Sequence, residues 1–136
     1  EIERKLRLLA EYVGELEQIS QATYTQYQAS FQIKRAAERL IQLVVEVATD
    51  VNGLLIVGLG KAPPKDYFTS FVLLSRLGML PDDFAHQLAP TTAIRNRLVH
   101  DYDTVDDRLV FASIKPILEE FTQYLDLIRK YVQKQP

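Results

Sequence analysis

The chain has no cysteine and only two histidines in 136 residues. Without cysteine, neither a disulfide nor a thiolate metal site can form, which agrees with a reducing environment. Two histidines are also too few for a multi-histidine metal centre within one subunit, and His86 has no second ligand at metal spacing. We therefore expect no metal site, and a function that needs neither a reactive thiol nor a bound metal ion.

Positive charge is not in excess either, because sixteen basic residues face eighteen acidic ones and the formal net charge is −2. A surface that coats nucleic acid broadly is usually basic, so any contact with RNA must be local. A mildly acidic surface is also compatible with a basic partner protein. No apolar run approaches the roughly 20 residues that a membrane span needs, and no leader segment is evident. We expect a cytoplasmic protein without a membrane partner.

Glycine-rich phosphate loops are missing as well. The segment Gly58-Leu59-Gly60-Lys61 lacks both the spacing of a nucleotide loop and the Ser or Thr that follows its lysine. We therefore expect the chain to carry no cofactor of its own, and any use of ATP to belong to a partner.

Helical periodicity dominates what is present. With 47% apolar residues, the chain has the size and composition of one domain, residues 1–136. Apolar residues recur every three or four positions, no segment alternates in polarity, and no strand–turn–strand signal occurs. The pattern predicts an all-α, antiparallel up-and-down bundle of four main helices with one or two short ones.

The helix limits follow from the apolar spacing and the breakers. We expect a first helix from Ile2, a polar turn at 20–26, and a long central helix over 27–55 that ends before Gly58. A third helix follows Pro64, and a short one opens at Pro81. Thr91 or Thr92 is expected to cap a helix over 93–99. The last helix is predicted to start at Asp103 or Thr104, with Thr104 and Asp107 as a capping box, and to continue past Pro116.

One octet, Arg95-Asn96-Arg97-Leu98-Val99-His100-Asp101-Tyr102, combines a permanent cation, an imidazole and a phenol. The planar guanidinium of arginine suits phosphate oxygens, and histidine can transfer protons near neutral pH. Five residues of ideal helix would, however, place Arg95 and His100 about 140° apart around the axis. Convergence therefore requires the helix to unwind near 99–101, or a second subunit to supply the facing groups.

This octet, together with segments 31–50, 80–85 and 105–106, resembles the HEPN superfamily and within it the HepT-like toxins. Their signature is Arg, four residues, His, any residue, Tyr, which falls here on Arg95, His100 and Tyr102. The resemblance implies a homodimer, a metal-independent endoribonuclease, and the toxin role in a type VII-like toxin–antitoxin system. It also implies an MntA-like nucleotidyltransferase antitoxin that uses ATP to attach AMP to Tyr102, alone or in a larger hetero-oligomer.

In this interpretation Arg95 stabilises charge on the phosphate in the transition state and His100 transfers protons. Asn96 either holds the imidazole tautomer or donates to phosphate. Tyr102 either hydrogen-bonds the phosphate or accepts AMP, whose negative charge would block the anion site.

Two further questions stay open on the sequence. Arg97 contacts RNA or a partner, or is only a solvated surface charge. Glu46 or Asp50 orients Arg95, or both belong to a solvated helix face. The alternative function is a non-catalytic HEPN subunit that docks a nucleotidyltransferase and binds nucleotide without cutting RNA.

Overall fold

The computed structural model describes residues 1–135, and these form seven α-helices and one 3-10 helix. The α-helices are α1 (Ile2–Ile19), α2 (Tyr24–Ala29), α3 (Phe31–Gly58), α4 (Tyr67–Arg76), α5 (Asp82–Leu88), α6 (Thr91–His100) and α7 (Asp107–Gln133), and the 3-10 helix is Tyr102–Thr104. No strand occurs within residues 1–135. The predicted all-α bundle is confirmed.

Helix α3 is the centre of the bundle. It contacts α1, α2, α4, α6 and α7, so it is apolar around much of its circumference. Its length and composition alone would suit a membrane span, but 61% of its most apolar window is buried inside the bundle. The apolar character of α3 therefore follows from its position in the core.

The start of α3 differs from the prediction, which ran one helix through from residue 27. Ser30 has extended backbone angles, φ −126° and ψ 110°, and its Oγ accepts a hydrogen bond from the Ile33 amide at 3.2 Å. This N-cap separates α3 from the short helix α2. Within the expected turn at 20–26, Thr23 and Gln26 form a capping box that starts α2.

The predicted cap of α6 is also wrong. The hydroxyls of Thr91 and Thr92 donate back to the carbonyls of Leu88 and Ala89, at 2.7 and 2.8 Å. Both threonines are buried, and their hydroxyls are used in these bonds to the preceding turn. Helix α6 begins at Thr91, directly after Pro90, without a side-chain cap.

The last helix, α7, begins later than expected. Asp106 caps it by accepting from the Arg108 amide at 2.8 Å. Thr104 lies in the 3-10 helix and donates to the Asp101 carbonyl at 2.7 Å, so it cannot form the expected capping box. The helix does continue through Pro116, as its in-phase periodicity predicts.

A buried polar network fixes three helices together. Tyr124 of α7 donates to Asn52 Oδ1 of α3 at 2.6 Å, and Asn52 Nδ2 donates to Ser70 Oγ of α4 at 2.9 Å. Ser70 in turn donates to the carbonyl of Tyr67 at 2.7 Å. Because all three side chains are buried and hydrogen-bonded, the network fixes the register of α4 against α3.

The substitution Tyr124→Phe should destabilise the fold. It removes the hydroxyl that donates to Asn52 Oδ1. A buried polar group left without a hydrogen-bond partner costs about 1–3 kcal/mol. The free energy of unfolding in urea, measured by circular dichroism, checks this. Tyr131→Phe, a change at a partly buried position of the same helix, is the matched control and should cost much less. Equal losses in the two variants would contradict the network's role.

Candidate active site

The two principal residues of the octet lie on one continuous helix. Helix α6 includes both Arg95 and His100, and the Asp101 amide still donates to the Arg97 carbonyl at 3.0 Å. The backbone leaves helical geometry only at Asp101, with φ −134° and ψ 41°. Because the last turn is closed through His100, the two side chains keep their angular separation. The helix therefore unwinds too late to bring Arg95 and His100 together within one chain, which leaves the second of the two conditions, a facing subunit.

Arg95 is held by α3. Its Nε and Nη2 lie 2.9 and 2.8 Å from Glu46 Oε2, and only 15% of its side chain is exposed. Gln42 donates to the same carboxylate oxygen at 3.0 Å. Charge-assisted bonds of this kind hold a guanidinium in one orientation. Of the two carboxylates considered for this role, the structure brings Glu46 to Arg95.

Asp50 is placed elsewhere. It lies one helical turn beyond Glu46 and pairs with Lys5 of α1 at 3.0 Å. The ion-pair partner of Asp50 is thus a residue of α1 and not a residue of α6. The expectation that Asp50 supports Arg95 is therefore wrong.

The remaining contacts of Arg95 face an open pocket. Its guanidinium lies 4.7 Å from the centroid of the Tyr67 ring, and its Nη1 donates to Asn96 Oδ1 at 3.1 Å. These three residues and Phe68 line a pocket of about 490 Å³, which His100 does not line. Asn96 Oδ1 therefore binds the guanidinium and not the imidazole, which was one of the two partners suggested by the sequence; donation to phosphate, the other suggestion, stays a prediction. The pocket presents a fixed cation and two aromatic rings, which suit a phosphate next to a base, and Asp66 at the start of α4 adds one acidic residue to its lining.

His100 and Val99 are exposed at the end of α6. Neither side chain is turned into the core, so the imidazole is accessible to solvent or to another molecule. An exposed histidine at this place can exchange protons with a bound substrate once that substrate is brought to it.

Tyr102 lies in the 3-10 helix and contacts α3. Its hydroxyl donates to Glu38 Oε1 at 2.6 Å, while Glu38 Oε2 is paired with Arg35 Nη1 at 2.7 Å. The carboxylate of Glu38 and partial burial raise the pKa of Tyr102 above its ordinary value, because both disfavour the phenolate. Tyr102 is nevertheless 46% exposed, and so is open to a partner.

Three polar residues of α3 thus hold side chains of the octet by hydrogen bonds, Glu38 and Glu46 directly and Gln42 through Glu46. Glu38, Gln42 and Glu46 follow one another at four-residue intervals, so they form one polar stripe on the helix. Glu38 and Glu46 are separated by eight residues, about 12 Å along the axis. The sequence offered Glu46 and Asp50 as alternatives and gave no role to Glu38 or Tyr67. The four-residue spacing of polar residues inside the apolar central helix was the available signal for Glu38.

Arg97 points to the other side of α6. Its Nη2 donates to the Thr104 carbonyl at 2.8 Å, which ties α6 to the turn before α7. It also lines a groove of about 420 Å³ beside Leu109 and Pro116 of α7. One of its roles is thus structural, and a contact with RNA or a partner stays a prediction.

No cluster of three histidine, cysteine, aspartate or glutamate side chains that could hold a metal ion is found in residues 1–135. His86 is exposed on α5, and its Nδ1 lies 2.8 Å from the Asp82 carbonyl. The candidate site therefore consists of arginine, histidine, asparagine and tyrosine side chains supported by carboxylates.

A helical bundle that carries this octet at the end of a short helix matches a known class of ribonuclease. The family model described as "Ribonuclease HepT-like" matches residues 9–128, and the chain belongs to this HepT-like family.

Individual relatives agree with this assignment. A "tRNA nuclease HepT" of Aphanizomenon flos-aquae is 32% identical over 96% of this chain and 89% of the relative. An "mRNA nuclease HepT" of Shewanella oneidensis is 24% identical over 94% of this chain and 90% of the relative. Among solved structures, the tri-AMPylated HEPN toxin of Shewanella oneidensis in complex with MNT antitoxin superposes with a TM-score of 0.85. It is 21% identical and covers 95% of this chain and 96% of that chain, which shows a shared fold.

The hydrogen bond between Tyr102 and Glu38 should be visible in titration. In the Glu38→Gln variant a neutral amide replaces the carboxylate, so the pKa of Tyr102 should fall towards its ordinary value. NMR of ring-labelled tyrosine across alkaline pH measures this, and Tyr102→Phe assigns the signal. Glu119→Gln, an exposed change on α7, should leave the titration unchanged. A Tyr102 pKa that is the same in Glu38→Gln and wild type would contradict the assignment.

Proposed function

We propose that this protein is a metal-independent endoribonuclease and the toxin of a type VII-like toxin–antitoxin system. The observation that carries the proposal is the fixation of Arg95 by Glu46 and Asn96 at the wall of an open pocket. The names of its relatives supply the chemical class, since the two curated relatives described above are called HepT nucleases. Because one is named for tRNA and the other for mRNA, the proposal extends to RNA as a class.

The proposed reaction is a transesterification. The ribose 2′-hydroxyl loses its proton as its oxygen attacks the adjacent phosphorus, the bond from phosphorus to the 5′-oxygen breaks, and one proton is returned to that leaving oxygen. Arg95 stabilises the extra negative charge on the phosphate oxygens, as a preorganised donor does. His100 transfers the proton, and Asn96 can donate its amide N–H groups to phosphate. Neither step draws on a metal ion or on a cofactor of this chain.

A homodimer completes this site in our proposal. Within one chain α6 keeps Arg95 and His100 on different sides of the helix, so a second subunit must supply a facing group. Exposed apolar side chains near the octet support such an interface, namely Phe68 at the Arg95 pocket and Val99 beside His100. A two-fold interface would also double the local positive charge in a chain of net charge −2.

Regulation is proposed to act on Tyr102. The Shewanella oneidensis toxin, which shares this fold, is described as tri-AMPylated and in complex with MNT antitoxin. Here Tyr102 is half exposed and follows His100 by two residues, so AMP on its hydroxyl would place phosphate charge next to the proposed catalytic groups. That charge would repel RNA. ATP would be bound by an MntA-like partner in the cytoplasm.

The alternative is a non-catalytic subunit that docks a nucleotidyltransferase and binds nucleotide. The absence of His100 from the pocket of Arg95 favours this alternative. A purified dimer that binds RNA or ATP and leaves RNA intact would establish it.

Catalysis should depend on both principal residues. Arg95→Ala or His100→Ala is expected to reduce cleavage of total RNA by about 100-fold or more and to abolish growth arrest on expression. Single-turnover cleavage on a gel measures this, with circular dichroism to verify folding. Arg76→Ala and His86→Ala, exposed residues of the same types on α4 and α5, are the matched controls and should cleave normally. Cleavage should also persist in excess EDTA, and its loss there would contradict metal independence.

Modification should be visible in the intact mass. After co-expression with an MntA-like nucleotidyltransferase, wild-type chain should gain one or more whole AMP units and lose its nuclease activity. Tyr102→Phe should gain none, whereas Tyr131→Phe should be modified like wild type. Wild-type chain that stays unmodified, or Tyr102→Phe that is still modified, would contradict the proposed regulation.

A further inference from the structure

Glu38 is unusual among the carboxylates of the described chain because it is buried. It is 7% exposed although it lies in the apolar central helix, and its two oxygens have different partners. Arg35 is bound to Oε2, and the hydroxyl of Tyr102 donates to Oε1 at 2.6 Å. Burying a carboxylate is costly unless it is paired, so a residue that serves only to fill space would not be glutamate.

The direction of the Tyr102 hydrogen bond matters for chemistry. Tyr102 Oη donates to Glu38 Oε1, and the distance of 2.6 Å between the two oxygens is that of a short, charge-assisted bond. The acceptor is on the core side of the tyrosine, while the ring is half exposed on the other. An electrophile that approaches from solvent would therefore meet the oxygen with its proton directed away.

We propose that Glu38 is the proton acceptor when Tyr102 is modified, so that this chain supplies the general base for its own AMPylation. The inference depends on the proposed function, in which a partner delivers ATP to Tyr102. Tyr102 Oη forms a bond to the α-phosphorus, and the bond from that phosphorus to the β-phosphate oxygen breaks. Pyrophosphate leaves with the electron pair, while the phenolic proton moves to Glu38 Oε1. Atoms and charge balance without a further reactant.

The effect of Glu38 on resting Tyr102 does not contradict this role. A carboxylate next to a phenol disfavours a free phenolate, which explains the raised pKa of Tyr102. A general base does not need free phenolate, because the proton moves as the oxygen–phosphorus bond forms. The short bond also keeps Tyr102 inert until an electrophile is in place.

Arg35 adds a second contribution. Its guanidinium carbon lies 5.8 Å from the centroid of the Tyr102 ring, and its side chain is 55% exposed. A cation in this position would attract the triphosphate. The other ionisable groups near this pair are Tyr27 of α2, buried without a hydrogen-bond partner in residues 1–135, and Asp107 at the start of α7.

The test compares variants of Glu38 in a complex with an MntA-like nucleotidyltransferase and ATP. The rate at which AMP is added to Tyr102 is measured by intact mass over time. Glu38→Gln keeps the size and can still accept the hydrogen bond but is not basic, so the rate should fall by about 100-fold. Glu38→Asp retains a carboxylate, so AMP should be added to its Tyr102 faster than to that of Glu38→Gln. Formate should restore part of the rate to Glu38→Ala and none to Glu38→Gln, whose amide fills the site.

A purely structural role for Glu38 predicts a different pattern. Glu38→Gln would then react as fast as wild type, or faster because its Tyr102 ionises more easily, and either result would overturn the inference. Absence of formate rescue in a folded Glu38→Ala would count against it too. Glu119→Gln controls for the loss of one charge, and thermal melting verifies folding. Failure of the proposed function has a separate signature, since wild-type chain itself would then stay unmodified.

Discussion

The ion pair between Arg95 and Glu46 is the contact from which the candidate site is organised. It joins α6 to the central helix through two nitrogens and one carboxylate oxygen, at 2.8 and 2.9 Å, in a partly buried place. A bond of this kind fixes the direction of a planar guanidinium more firmly than an exposed pair would. Because Tyr67 and Asn96 complete the surroundings of the same group, the cation is oriented before any substrate arrives.

Glu46 therefore has two opposite effects on the binding of a phosphate by Arg95. It aligns Arg95 and occupies two of its nitrogens, so a phosphate must bind to the donors that remain or displace part of the pair. The angular separation along α6 adds a second restraint, because His100 cannot reach the same pocket within one chain. Activity would then exist only where two copies meet, which provides a physical reason for a dimer in this fold.

The stripe Glu38, Gln42, Glu46 links the two ends of the octet to one rigid element. Arg95 is bound at one end and Tyr102 at the other, about 12 Å apart along α3. A buried helix is a stiff support, so the spacing between the proposed cleavage and modification groups is set by α3 and not by the exposed turn that carries Tyr102. The network of Tyr124, Asn52 and Ser70 serves the same end by fixing α4, which carries Tyr67.

The sequence by itself determined the helical class, the central place of the long helix predicted over 27–55, and the octet, because periodicity and residue type are local properties. Its errors lie where several residues compete for one cap: Ser30 and Asp106 were passed over, and Thr91 and Thr104 were chosen although both donate to backbone carbonyls. Only the tertiary structure decided that Glu46 and not Asp50 reaches Arg95, and that Glu38 meets Tyr102 from 64 residues away. Which face of α3 lies against α6 depends on how all the helices pack, and no local pattern encodes it.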